Sequence, residues 1–426
     1  MSLAARASRS IRFSPRRERV RHRAGGREIP RPSHGIFALM RTKQTSRRKL
    51  LKTGLALAGL GLVSVPEWVL PALAEGETVV PFLDFPERVV TNPAVDRRII
   101  DIRTINGPFT PKDEWFTTQH YGHPKVDAAT HQLKVSGLVD RPLTLSIDDL
   151  RKIGSKELVA GFECSGNRGP LQGLSSNARW TGVPLKDLLD KAGVKASARE
   201  FVFFGADRGE EEVEWRNDKF KVQQQFGRAL TREKALSSEP MLVWALNGDP
   251  LTLHQGMPLR LLVPGWYGVN NVKWLSEIHV QEDAYLGKFQ ARWYRTLKGE
   301  MIDGEMKWVE TAITHMQLKS YIARITSDGS RYKVTGVVLN DGTPIKTVEV
   351  RVDDGPWQAA TMDPSTREKY GWKLFTYTVN SLAPGDHTLV SRAIDATGKT
   401  QPTAQELENK KSFLEDNSQT VRKIKV

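Results

Sequence analysis

Cys164 is the only cysteine among 426 residues, and it sits in the run Gly161-Phe162-Glu163-Cys164-Ser165-Gly166-Asn167-Arg168-Gly169. One thiol excludes an internal disulfide. It also excludes a Cys-rich zinc site or an iron–sulfur cluster, which draw several ligands from the chain. Three roles are left: a ligand to one soft metal that arrives with its own organic ligand, a nucleophile, or a small apolar group in a core. The context favours chemistry over inert packing. Leu158-Val159-Ala160-Gly161-Phe162 predicts a short buried strand, and Ser-Gly-Asn-Arg-Gly predicts a loop exposing backbone amides and one guanidinium. An arginine next to a thiol at such a junction favours the thiolate.

The formal charge of +14 and the pI near 9.7 first suggest a partner such as nucleic acid or a membrane surface. Residues 1–74, however, hold 16 Lys/Arg and 3 Asp/Glu, so 13 of the 14 net positive charges lie there. The remainder is nearly neutral and gives nucleic-acid binding no electrostatic support. The basic stretch has the plan of an export leader. Thr45-Ser46-Arg47-Arg48-Lys49-Leu50-Leu51-Lys52 matches the twin-arginine pattern, an apolar run follows from Gly54 to Val65, and Ala72-Leu73-Ala74 is a small-residue cleavage site. That run is too short for a membrane span, which needs about 20 apolar residues. Residues 1–39 are read as an extension before a start at Met40, 40–74 as the leader, and the mature protein as periplasmic without a membrane span.

The mature chain is long enough for two domains. Prolines at 81, 86, 93, 108 and 111 predict an extended arm over Glu75 to about Thr110. Ser146-Ile147-Asp148-Asp149-Leu150 predicts a capped helix start, and Pro184 to Gly193 a helix with proline at its head and glycine at its end. His131–Gly137, Phe201–Phe204 and Met241–Leu246 read as strands. This mixture, without βαβ repeats, predicts an α+β domain over 75–315. In 316–426 the strands Tyr332–Leu339, Val348–Val352, Leu374–Val379 and Thr388–Ile394 alternate with Asn-Asp-Gly, Asp-Asp-Gly and Pro-Gly-Asp turns, a pattern that predicts an immunoglobulin-like β-sandwich.

Phe162 to Gly169 closely resembles the cysteine loop of the sulfite oxidase family, in which that cysteine ligates molybdenum held by a pterin dithiolene. Pro258-Leu259-Arg260-Leu261-Leu262-Val263-Pro264-Gly265, continuing through Gly268-Val269-Asn270-Asn271-Val272-Lys273-Trp274-Leu275, is similar to that family's second signature. The resemblance covers nearly all of the mature chain. It implies a sulfite-oxidase-type molybdopterin-binding domain followed by a dimerising sandwich, the molybdenum cofactor, and oxygen-atom transfer to sulfite or a related sulfur compound. It implies Cys164 as the metal ligand. Phe116, Thr117, Thr118, Gln119, His120, Asp207, His254, Arg260, Asn271, Val272 and Lys273 fall on its pterin and phosphate positions, and Tyr294, His120 and Arg168 join Cys164 at the reacting end. Arg260 and Lys273 suit a phosphate, one by bidentate hydrogen bonds and one as a point charge.

Three departures stand out. Gln255 separates His254 from the following glycine, so either His254 or Gln255 takes the histidine's place. Thr118 and Gly169 stand where sulfite oxidases carry arginines, which removes positive charge from the sulfite pocket; Arg179, Arg292 and Lys219 are the candidates to restore it. A c-type haem attachment needs two cysteines, so electrons are expected to leave to a separate carrier, a c-type cytochrome. The alternatives are a sulfane dehydrogenase or another oxyanion oxidoreductase on the same cofactor, a non-catalytic exported binding protein, and a cysteine hydrolase. For the last, no histidine lies within thirty residues of Cys164.

Overall fold

The structure is a computed structural model that describes residues 76–89 and 97–426; the expected extension (1–39) and leader (40–74) lie outside the described residues. Local sequence decides the few helices. Ser146 accepts from the Asp149 amide while the Asp149 carboxylate accepts from the Ser146 amide, and this capping box starts the helix Ile147–Ile153. The helix Leu185–Ala192 follows Pro184 and stops at Gly193, whose φ of 71° suits a residue without a Cβ. A four-residue turn, Arg232–Ala235, is the third α-helix among the described residues.

Apart from short 3-10 turns and one π-helical turn at Lys288–Arg292, the rest of the described regular structure is strand, so its helical part is slighter than the α+β expectation suggests. One antiparallel sheet runs in the order Arg260–Leu262, Met241–Leu246, Ser175–Pro184, Lys156–Glu163. A second has the order Leu143–Leu145, Leu133–Gly137, Leu275–Gln281, Glu200–Trp215, Asp218–Thr231, with one parallel pairing, between Leu275–Gln281 and Leu133–Gly137. Its last two strands form a hairpin of 16 and 14 residues, far longer than the Phe201–Phe204 run that its apolar residues announce. The outer half of that hairpin is charged rather than apolar, and cross-strand pairs such as Lys219–Glu212 and Lys221–Glu210 line it. A further hairpin, Arg295–Ile302 with Glu305–Ala312, escaped the sequence reading, although Leu297, Met301, Met306 and Trp308 share one of its faces.

The C-terminal part is two antiparallel sheets. Thr78–Val79, Lys319–Ser327, Tyr332–Leu339, Lys373–Val379 and Thr361–Met362 make one; Gln358–Ala359, Ile345–Val352, Asp386–Asp395 and Val421–Lys425 make the other. Their inward residues, among them Ile325, Val337 and Phe375 on one sheet and Val350, Leu389 and Ile424 on the other, are fully buried in a common core. The four strands expected here from alternation are all present. The proline-rich arm, in its described parts, is extended apart from a 3-10 turn at Ile102–Thr104, as its composition predicts. It adds Thr78–Val79 to the edge of the first C-terminal sheet, and Ile100 N–H donates to Gly173 O at 2.9 Å beside the cysteine loop.

Side chains behind Cys164 join the two parts. Glu163, the last residue of its strand, is 1% exposed, and Lys319, the first residue of a C-terminal strand, is fully buried. Lys319 Nζ lies 3.2 Å from Glu163 Oε2 and donates to Asn167 O at 2.9 Å. Asn167 Nδ2 donates to the same Glu163 oxygen at 2.9 Å. A buried charge is tolerable only when paired and hydrogen-bonded in this way. Lys319→Met should therefore cost about 3–5 kcal/mol by stranding the Glu163 carboxylate, and adding Glu163→Gln should restore much of it; urea midpoints of the two variants measure both effects.

Candidate functional site

Cys164 leaves its strand into a tight turn. Its amide donates to Leu174 O at 2.9 Å and its carbonyl accepts from Asn167 N–H at 2.8 Å, while Asn167 Oδ1 accepts from Leu174 N–H at 3.1 Å. The loop is thus closed by Asn167, and the half-buried thiol faces a narrow cleft. Burial pushes the thiol pKa up; the Gly166 amide, the positive charge of Arg97 and the Thr118 side chain pull it the other way.

The cleft gathers most of the residues picked from sequence: Phe116, Thr117, Thr118, Gln119, His120, Cys164, Asp207, His254, Arg260, Asn271, Lys273 and Tyr294 all line it. Val272 is buried beside it and contributes backbone, its carbonyl accepting from Leu261 N–H at 2.9 Å. Arg168 does not join them. It is exposed, and its guanidinium lies over the Phe413 ring at 4.9 Å. Between His254 and Gln255, the structure puts His254 on the cleft wall, whereas the Gln255 side chain accepts from Thr252 N–H at 2.9 Å and donates to Lys112 O at 2.8 Å. Of the three candidates to replace the missing arginines, none lines the cleft. Arg179 and Arg292 are exposed elsewhere and Lys219 pairs with Glu212.

One end of the cleft is built for an anion. Arg260 is 3% exposed, donates to Gln255 O at 2.9 Å and Asn271 O at 3.0 Å, and lies against Phe162 and Trp180 at 5.3 and 5.2 Å. Among the described residues no carboxylate pairs with it, and its Nε is buried without a partner. Lys273 reaches the same end, its Nζ donating to Thr118 O at 3.0 Å and to Thr117 Oγ1 and Gln119 Oε1 at 3.4 Å. Burial and the Arg260 charge push the Lys273 ammonium down to about 7, against the pull of Asp207. Gly256 makes room for this lysine: at its φ of 98° a Cβ would come within 2.7 Å of Lys273 Cβ. Two unneutralised cations in a half-dry cleft are costly until an anion arrives. Asp207, also buried with one carboxylate oxygen unpartnered and its pKa raised to about 6 by burial, offers an acceptor for ring N–H groups. These groups fit a phosphate-bearing pterin, and Cys164 fits a soft metal carried by it.

At the other end His120 Nε2 and Tyr294 Oη are 2.7 Å apart. The imidazole is held between Phe226 and Phe289, with ring centroids at 5.0 and 4.2 Å. Burial first, then the charges of Lys273, Lys288 and Arg228, push His120 down to about 3, so it is neutral near pH 7. Arg228, 1% exposed, donates to Ile313 O at 2.7 Å and to Asn270 Oδ1 at 3.1 Å, and its charge acts on Tyr294. Sequence reasoning missed Arg228, Phe226, Phe289 and Arg97. The signal available for Arg228 was a cation inside the apolar run Phe226-Gly227-Arg228-Ala229-Leu230. Arg97 and Phe289 carry no local mark at all.

Lys273→Met keeps the methylene stem and removes the charge. A charge-assisted contact is worth about 1.5–3 kcal/mol, so this variant should fold normally yet hold its cofactor roughly ten- to hundredfold less tightly; molybdenum and pterin per chain, measured after dialysis, read this directly.

Residues 120–289 match the family model described as the oxidoreductase molybdopterin binding domain, and residues 304–418 match the Mo-co oxidoreductase dimerisation domain. A nitrate reductase [NADH] from Volvox carteri is 30% identical over 343 residues, which cover 71% of this chain and 39% of the relative. The mitochondrial sulfite oxidase of Rattus norvegicus is 26% identical over 326 residues, covering 69% and 57%, and the sulfite oxidase of Arabidopsis thaliana is 25% identical over 335 residues, covering 69% and 82%. The matched part therefore spans under three fifths of the first two relatives. Among solved structures, the sulfane dehydrogenase SoxCD from Paracoccus pantotrophus superposes with a TM-score of 0.65 over 87% of this chain and 96% of that one, at 24% identity, and so shares the fold. With the cysteine loop, the anion-ready cleft and both domain matches in agreement, the chain belongs to the sulfite oxidase family of molybdenum cofactor-dependent oxidoreductases.

Proposed function

We propose that this chain is an exported sulfite dehydrogenase, working in the periplasm as a homodimer through its C-terminal, immunoglobulin-like half and passing electrons to a c-type cytochrome. The balance is sulfite plus water giving sulfate, two protons and two electrons. When bound, the molybdenum cofactor supplies the transferable oxygen atom and accepts the electron pair. The chain's own groups bind the anion and place a proton donor. The observation that carries this reading is the His120–Tyr294 pair at 2.7 Å, on the same cleft as Cys164 and surrounded by cations. Arg97 acts on Cys164, and Arg228 and Lys273 act on the His120 end; together they give a positive potential that draws in a small dianion.

The neutral imidazole then has a defined task. With its proton on Nε2, His120 donates to Tyr294 Oη and leaves the phenol O–H free to donate into the cleft. A sulfur oxyanion offers only acceptors, so its binding selects that tautomer. Burial raises the Tyr294 pKa well above that of a free phenol, so Tyr294 enters the reaction as a donor and not as a phenolate. Thr118 supports the same end: its side chain bonds Cys164 and its carbonyl accepts from Lys273.

A second reading keeps the cofactor and changes the substrate. Thr118 and Gly169 leave the cleft without the two arginines of sulfite oxidases, and sulfane sulfur is a less charged target than sulfite. Turnover by molybdenum-loaded protein separates the readings. Ferricyanide reduction with micromolar sulfite, abolished in Cys164→Ser, supports the first; turnover only with sulfane sulfur donors supports the second. Nitrate reduction with a reduced viologen, and none with either sulfur compound, overturns both.

The pH dependence follows from the sign of the His120 shift. A histidine whose pKa is lowered to about 3 stays neutral as pH falls past 6.5 and gains its proton only near 3. The acid limb of kcat/KM should therefore carry no histidine inflection between pH 5 and 8. An inflection near 6.5 that disappears in His120→Asn would contradict the buried, cation-ringed imidazole.

A further inference from the structure

Oxygen-atom transfer leaves two electrons on the metal, and a sequence with one cysteine has no c-type haem attachment of its own to receive them. A separate carrier that receives them has to meet this chain at its surface. Arg168, absent from the cleft, points to where. Its guanidinium lies 4.9 Å from the centroid of Phe413, a ring that is 58% exposed. A Cβ placed on Gly166 would be 3.8 Å from Cys164 Sγ and 4.0 Å from Phe413 Cε2, so the ring edge and the sulfur are within about 8 Å of each other. A bonded route runs alongside, since Ser165 O, one residue beyond the cysteine, accepts from Glu415 N–H at 2.6 Å.

The surface continues in one direction. Gly299 N–H donates to Asn409 O and Lys411 N–H to Leu297 O, both at 2.9 Å, which zips the Arg295–Ile302 strand to the segment carrying Phe413. Lys411 Nζ lies 5.6 Å from the ring of Trp308, itself 51% exposed. Two aromatic rings in solvent, each under a cation, are thus joined by continuous backbone pairing. Of the two acids that follow Phe413 and Leu414, Glu415 is buried and Asp416 accepts from Ser418 Oγ at 2.7 Å.

We propose that the surface formed by Arg168, Phe413, Lys411 and Trp308 is the docking site of a one-electron carrier protein whose exposed cofactor edge is rimmed by carboxylates, and that electrons reach it from the metal through Cys164. Apolar rings supply the contact and lysine and arginine the steering and register. Each encounter oxidises the reduced centre by one electron and reduces the carrier by one, and two encounters restore the oxidised enzyme. The inference rests on the oxidoreductase assignment and not on sulfite being the substrate.

Its test avoids the substrate altogether. Molybdenum-loaded enzyme, reduced with dithionite and freed of the excess, is mixed in a stopped-flow instrument with an oxidised c-type cytochrome of low isoelectric point, or with ferricyanide, which needs no docking site. Lys411→Glu and Phe413→Ala should each slow reoxidation by the cytochrome at least tenfold and flatten its salt dependence, with ferricyanide rates and molybdenum content within twofold of the unmodified protein. Unchanged cytochrome rates in both variants overturn the proposal, as does an equal loss with both acceptors or no cytochrome reduction by the unmodified enzyme. Failure of sulfite turnover leaves this experiment interpretable, so the two readings fail separately.

Discussion

The buried contact of Lys319 with Glu163 and Asn167 is the constraint on which the rest depends. It places a C-terminal ammonium under both ends of the cysteine turn, holding the strand that delivers Cys164 and the residue that closes the loop. Burial pushes the Glu163 carboxyl upward while Lys319 and Asn167 pull it back, so charge and hydrogen bonding compete inside a dry core. Around this centre the two parts share further bonds: Ser175 Oγ with Tyr321 Oη at 2.9 Å, Gly161 N–H with Tyr370 O at 2.9 Å, and Gln172 Nε2 with Thr420 Oγ1 at 3.1 Å. A metal ligand has to be held within narrow limits by groups that do not touch the metal. Here many of those groups come from the C-terminal half, which gives that half a part in the site beyond any role in dimerisation.

In front of the loop the electrostatics reverse. Behind Cys164 charge is paired; in the cleft it is left open. Arg260 is buried without an acid, Lys273 is pushed down toward neutrality by burial and by Arg260, and His120 is held neutral by burial and by the charges of Lys273, Lys288 and Arg228. An anion placed among these groups would favour the charged forms of Arg260 and Lys273.

Polarity also divides the surroundings of the cysteine. On the cleft side, Thr118 and the neutral His120–Tyr294 pair surround the reacting end, with the charges of Arg97 and Arg228 set farther back. On the outer side, Arg168 and Phe413 meet solvent. Cys164 lies between the two, its thiol on the cleft and Phe413 on the outer side of Gly166.

Much of this was legible in the residues alone. Cys164 was marked by its local context, and the second signature through Lys273, Tyr294 and the pterin positions by resemblance to the sulfite oxidase family; the cleft brings together nearly all of them. The capped helix at Ser146, the Pro184–Gly193 helix and the C-terminal strands were readable too, since capping and alternation are local physics. What local pattern could not supply was contact between segments far apart in sequence. The outer half of the long Glu200–Thr231 hairpin is charged and has no apolar period to announce it. Arg97 and Phe289 reach the site from stretches without any motif, Gln255 rather than His254 is taken up by capping, and Arg168 leaves the cleft because Phe413, 245 residues away, offers its ring. The sequence by itself determined which residues could hold a molybdenum pterin, because ligand chemistry belongs to side chains. Only the tertiary structure decided which cations line the cleft, which face solvent, and that Lys319 of the C-terminal part holds the loop carrying Cys164, because burial and long-range pairing belong to the packed chain.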